Sequence, residues 1–235
     1  MARPLRIIET GKIYTITNRT IGSTFWLKGD KFINNLVGAW LGRAIELYDI
    51  TVYCFVWMDN HYHLDASQNE NGDLSAAMRY FNSNVATAIN NYRNRVGPLW
   101  SDRFSSFEVL DKEAQVKRIA YNLLNPVKAG MSRTPGKSPC LTTYKSVTRG
   151  TPMMFTYYKN RKTKGRKIRK KKTITWQCEP LPCLADLSQK ERRQKIEKAI
   201  EVHESNKPHQ TLEARDFSPT SEPIRTKRQK KPKCI

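Results

Sequence analysis

The apolar positions of this chain change period as it runs. Lys12-Ile13-Tyr14-Thr15-Ile16-Thr17 is rich in β-branched and aromatic residues and predicts a strand. Phe32, Leu36, Val37, Trp40, Leu41, Ala44, Ile45 and Tyr48 then recur at steps of three and four, an amphipathic helix wide enough to cover one face of a sheet. Asp49 to Trp57 reads as a second strand. Asp59-Asn60 is turn chemistry, and His61 to Ser67 can return antiparallel as a third strand. Leu74, Ala77, Met78, Phe81, Val85, Ala88, Ile89 and Tyr92 trace a long helix closed by Gly97-Pro98. A strand over Phe104 to Leu110 precedes a helix that starts after Asp111, a good N-cap. That helix carries Ile119, Ala120, Leu123 and Leu124, and is expected to stop at Pro126.

The order strand, helix, strand, strand, helix, strand, helix predicts an α+β domain. Its arrangement is the ferredoxin-like split βαβ, an antiparallel sheet with helices on one face. The 235 residues suit one domain of about 150 residues with an extension, or two small domains. Charge separates the parts. Residues 1–148 hold 18 Lys+Arg and 12 Asp+Glu, a balance of +6, and residues 149–235 hold 24 and 9, a balance of +15. A field of that sign attracts polyanions, nucleic acid before an anionic membrane surface. No apolar run approaches the roughly 20 residues of a membrane span, and Met1 to Arg6 does not lead into the apolar segment of a secretory signal. The cysteines (Cys54, Cys140, Cys178, Cys183, Cys234) are odd in number and scattered, which argues for a reducing, cytoplasmic compartment.

Candidate chemistry sits in WMDNHYHLD, residues 57–65. Side chains alternate along a strand, so His61 and His63 share a face with Tyr62 opposite. Two adjacent imidazoles suit a metal; they equally suit a half-buried strand with satisfied hydrogen bonds. In the last helix of the domain Tyr121 and Asn125 stand at i and i+4, so phenol and amide share one face. Tyrosine can act as a nucleophile and an amide oxygen as a ligand, while packing and helix termination before Pro126 are the plainer roles.

HYH after an apolar strand, GPLWSDRF at 97–104 and AYNLLNPVKAGM at 120–131 together resemble the single-tyrosine HUH transposases. The resemblance is to their REP-associated tyrosine transposase branch, whose members often open much like MARPLRI, and it covers residues 1–148. It implies the HUH endonuclease fold and cleavage and rejoining of hairpin-bearing single-stranded DNA of the REP-like repeat kind. It implies Tyr121 as a nucleophile that leaves a 5′-phosphotyrosine and a free 3′-OH. His61 and His63 would be metal ligands, with Asn125 as the third. Imidazoles ordinarily favour Zn, Ni, Fe or Cu, whereas the resemblance implies Mg or Mn. Asp59 replaces the usual proline, and Leu64-Asp65-Ala66-Ser67 replaces the usual apolar pair with an acid. Asp65, on the histidines' face, is an auxiliary ligand, a partner of the ligands, or a solvated edge carboxylate. A domesticated hairpin-binding protein and a metal-dependent nuclease using water are the rival readings. The resemblance leaves monomer and homodimer open and implies a bacterial, nucleoid-associated protein.

Beyond residue 148 the resemblance fades. Residues 149–187 read as a disordered basic linker, for Lys159 to Lys172 has ten basic residues in fourteen and no acid. Tyr157, Tyr158 and Trp176 flank that run and can stack on unpaired bases; a solvated tail is the alternative. Residues 188–206 read as a helix with a capping box from Ser188 to Glu191, and 207–235 as a disordered basic tail. Arg3, Arg6, Arg103, Lys170, Lys171 and Lys172 are the candidate DNA contacts. Cys178-x4-Cys183 followed by His203-x5-His209 imitates zinc-finger spacing only loosely, because the gap of nineteen residues is long.

Overall fold

The computed structural model describes residues 7–163 and 166–205, with side chains described outside 159–169. The periodic segments become β1 (Tyr14–Arg19), α1 (Lys31–Tyr48), β2 (Ile50–Trp57), β3 (His61–Gln68), α2 (Leu74–Tyr92) and β4 (Ser105–Glu108). Aspartates start the two helices: Asp30 accepts from the Ile33 N–H and Asp73 from the Ala76 N–H, each at 2.8 Å. The strands form one sheet in the order β2-β3-β1-β4, every neighbouring pair antiparallel. That is the split βαβ order, in which α1 and α2 cross the same face.

Helices nevertheless cover both faces, which corrects the one-faced expectation. On one side α1 and α2 bury Tyr14, Ile16, Phe55, Trp57, Tyr62 and Leu64. On the other, Tyr53, Cys54 and Val56 pack against Ile119 and Leu123 of α3 (Lys112–Lys128). This second core also takes in Ile196 and Ile200 of α5 (Gln189–Ser205), with α4 (Tyr144–Arg149) beside it. The reason lies in β2, whose sequence ITVYCFVW is apolar at nearly every position, as a strand covered on both sides must be. A register shift between Val52 and Cys54 turns both Tyr53 and Cys54 to the second core.

Pro126 does not end α3 either. Proline lacks one N–H donor, but the turn continues through Ala129 N–H to Asn125 C=O at 2.9 Å and Met131 N–H to Pro126 C=O at 2.8 Å. The helix runs to Lys128 and closes at Gly130, whose φ of 69° favours glycine.

The expected linker over 149–187 is folded instead. β5 (Met153–Thr163) and β6 (Arg166–Trp176) pair in unbroken register from Met153↔Trp176 to Thr163↔Arg166. Their base is pinned to α1. Phe155 and Trp176 stack at 5.8 Å between ring centroids and lie against Gly38 and Gly42, where a Cβ would meet their rings at 2.2 and 2.5 Å. The Trp176 indole N–H donates to the Gly38 carbonyl at 2.8 Å. Asn35 exchanges two hydrogen bonds with the Thr156 backbone at 2.8 and 2.9 Å. Trp176 is buried and Arg43 stacks over Tyr157 at 5.4 Å, so neither ring is presented for base stacking. Ser188 precedes α5 and exchanges capping hydrogen bonds with Glu191. Arg3, Arg6, His209 and the expected tail over 207–235 lie outside the described residues. No described helix is long and apolar enough to cross a membrane.

Candidate active site

β3 turns His61 and His63 toward the α3 side, while Tyr62 between them is fully buried among Trp57, Phe81 and Trp100 on the other. The two imidazole centroids are 5.0 Å apart, edge to face. Burial, aided by Arg19, lowers the His61 pKa to about 4. Burial, then His61, Arg118 and Arg19, lowers that of His63 to about 3. Both rings are therefore neutral near pH 7, the form in which imidazole donates a lone pair. The turn selects the tautomer of His61. Asn60 gives its Nδ2 to the Ser23 carbonyl at 2.9 Å, which leaves Oδ1 to accept from His61 Nδ1–H at 2.6 Å. His61 Nε2 is then unprotonated and carries the lone pair.

α3 brings Tyr121 to this pair, its ring centroid 6.4 Å from that of His63. Asn125 lies one helical turn further on the same helix, with its Nδ2 buried and without a hydrogen-bond partner among the described residues. Because α3 passes through Pro126, Lys128 is also helical, and its Nζ stands 4.0 Å from the Tyr121 ring centroid. Arg118 approaches the same ring at 5.6 Å and His203 of α5 at 6.3 Å.

Asp65 is no solvated edge carboxylate: it is 2% exposed, opposite Thr15 on β1. It accepts from the Thr15 hydroxyl and, at 2.7 Å, from Asn122 Nδ2. Burial raises its pKa to about 6, against the downward pull of those two hydrogen bonds and of Arg118. The carboxylate thus ties β1, β3 and α3 together at the residue next to Tyr121.

Among solved structures, one described as a REP-associated tyrosine transposase bound to a REP hairpin matches with a TM-score of 0.53. The match covers 64% of this chain and 87% of that one, at 17% identity. The two chains share a fold. A Deinococcus radiodurans R1 protein described as a transposase matches at a TM-score of 0.34 over 52% and 97% of the two chains, with 11% identity, too weak to bear argument. No family model and no curated protein matches the sequence.

On this fold His61, His63, Tyr121 and the Asn125 face of α3 come together, and the other candidates do not join them. Arg103 lines a cleft with Asn18, Arg79 and Asn82 on the α2 side of the sheet. Lys170, Lys171 and Lys172 are exposed on β6. Among the described residues no three His, Cys, Asp or Glu side chains converge as metal ligands, so Cys178, Cys183 and His203 do not form a zinc cluster. The residues that spacing alone missed are Arg118, Asn122, Lys128 and His203. Arg118 and Lys128 stand at i−3 and i+7 from Tyr121, a helical signal that was open for Arg118 and that the expected stop at Pro126 concealed for Lys128. His203 carries no such signal, since only the packing of α5 on α3 brings it near.

Proposed function

We propose that the protein is a DNA transposase, a metal-dependent strand transferase that cleaves and rejoins hairpin-bearing single-stranded DNA through Tyr121. The observation that carries this reading is the convergence of a tyrosine on α3 with two neutral imidazoles on β3. It occurs in a fold shared with a transposase solved on a REP hairpin. That neighbour's ligand supports a structured DNA as the partner here.

His61, His63 and Asn125 would hold a divalent ion, Mg or Mn. The residues fit one: the imidazoles are uncharged, His61 Nε2 carries a lone pair, and an amide whose Nδ2 has no hydrogen-bond partner among the described residues can turn its oxygen outward. When bound, such an ion supplies Lewis-acid polarisation of a phosphodiester oxygen. The chain supplies the rest. Tyr121 Oη gives up its proton and forms a bond to phosphorus, the bond from phosphorus to the 3′-oxygen breaks, and that oxygen takes up a proton from solvent to become a 3′-OH, so no proton is gained or lost overall. The 5′-phosphate stays on Tyr121. Lys128 and Arg118 place positive charge beside the ring, where an anionic phosphodiester must approach. Rejoining is the reverse, with a 3′-OH attacking the phosphotyrosine.

The test is a labelled hairpin strand incubated with the protein and Mn, resolved under denaturing conditions. The expected product is a covalent protein–DNA adduct, absent from Tyr121→Phe although that variant still binds the hairpin. Free fragments without adduct would make the protein a nuclease using water. Binding with no reaction would make it a hairpin binder, and either result overturns the proposal.

A further inference from the structure

The β5–β6 hairpin is a two-stranded sheet that pairs with no other strand among the described residues. Its lower end is locked to α1 by Phe155, Trp176 and Asn35. Its upper part, from Tyr157↔Lys172 to Thr163↔Arg166, is seven consecutive pairs. At about 3.4 Å per residue this gives a ribbon roughly 20 Å long. From Lys159 to Lys172 the sequence holds ten basic residues and no acid. The register sets Lys159 opposite Lys170 and Lys162 opposite Lys167, like charges that destabilise an isolated hairpin. Lys170, Lys171 and Lys172 are exposed, and no ion pair among the described residues involves them. A ribbon of this composition, held to α1 at its base, is complementary to a polyanion.

We infer that this ribbon is a DNA-binding arm that enters the major groove of a duplex, the base-paired stem of the DNA whose unpaired strand Tyr121 addresses. The inference rests on the proposed reading that DNA is the partner. Composition decides among polyanions. Single-strand grooves use successive aromatic rings as stacking platforms, whereas this ribbon has aromatic residues at its root alone, Tyr157 under Arg43 and the exposed Tyr158, and Lys159 to Lys172 adds no Phe, Trp or Tyr. Membrane-surface segments need an apolar face, and Ile168 is the only large apolar residue of that stretch. A duplex asks for neither. Its major groove, about 12 Å wide, admits a two-stranded ribbon, and its phosphates line both walls.

The test uses the full chain and the variant Lys170→Gln/Lys171→Gln/Lys172→Gln, whose three sites are exposed and clear of the Phe155–Trp176 base. The probes are a blunt duplex of about two helical turns, its single strand, and anionic phosphatidylglycerol vesicles. If all three lysines meet phosphate, the slope of log affinity against log salt on the duplex should become shallower by about 2.7. Affinity near 0.15 M salt should fall about a hundredfold. Guanine N7 atoms of the duplex, which face the major groove, should be protected from dimethyl sulfate by the parent and by Tyr121→Phe, and exposed again in the triple variant. Unchanged duplex affinity, N7 atoms left reactive under the parent, or a loss confined to single strand or to vesicles would overturn the arm. Stem protection without any covalent adduct would remove the proposed chemistry and leave the arm standing. Adduct formation without stem protection would do the reverse.

Discussion

Gly38→Ala tests whether the hairpin is seated on α1 as described. In an ordinary helix interior the change stabilises, because alanine is favoured over glycine by about 1 kcal/mol. Here the new Cβ would stand 2.2 Å from Phe155 Cε1 and 2.4 Å from Cδ1 and Cζ, distances at which one partner has to move. Phe155 has little freedom. It is 7% exposed and stacked on Trp176, which is itself held by its indole hydrogen bond to the Gly38 carbonyl. Overpacking of this kind costs about 1–3 kcal/mol, and expelling a buried phenyl ring would cost about as much again. The clash therefore offsets and at its upper end outweighs the helix propensity, and the net loss should be up to about 2 kcal/mol. In a domain of this size that corresponds to a melting temperature lower by up to roughly 8 °C. Urea or thermal unfolding of the full chain measures it, and a mutant cycle makes the measurement specific. In a Phe155→Ala background the obstructing ring is gone, so Gly38→Ala should be neutral or stabilising by up to about 1 kcal/mol. Stabilisation of the parent by Gly38→Ala, or an equal loss in both backgrounds, would refute the seating of Phe155 in this groove.

Three further outcomes follow from the site. His61→Ala and His63→Ala should each suppress adduct formation strongly while leaving hairpin affinity near the parent's, and EDTA should do the same to the parent; a gel assay for the adduct with and without chelator checks both. Asp65→Ala strands the Thr15 hydroxyl and Asn122 Nδ2 in the interior, so stability should fall by about 1–3 kcal/mol and adduct formation should slow. Asp65→Asn, which can accept from one partner and pair with the other, should restore both in unfolding and kinetic measurements. His203→Phe keeps a ring beside Tyr121 and removes a buried Nε2 that has no partner among the described residues, so calorimetry should show a stability gain of about 1 kcal/mol.

What could be read from the sequence is set by how far apart the cooperating residues lie. His61 with His63, and Tyr121 with Asn125, are linked by the period of one strand or one helix, so local geometry already places each pair on a common face. The four-stranded sheet is legible for the same reason, since each element announces its own period. The two-faced cover was also legible in principle. ITVYCFVW is apolar on both alternations, and that signal was outweighed by the βαββαβ order, which accounts for helices on one face only. The hairpin was obscured by averaging. Its charge run dominates any window drawn over it, whereas the residues that make it fold are Phe155, Ile174 and Trp176 at its base, together with two glycines more than a hundred residues earlier. Nothing in the spacing of Gly38 and Gly42 says that aromatic rings will fill the space they leave. The same limit explains Asp65: its burial depends on Thr15 and Asn122, fifty and fifty-seven residues away, meeting it across the sheet. A carboxylate that looks like a solvated strand edge becomes the tie that orients the Tyr121 helix only once the third layer of helices is in place. The chemistry proposed for this site therefore depends on α3 lying across the face that the one-sided reading left open to water.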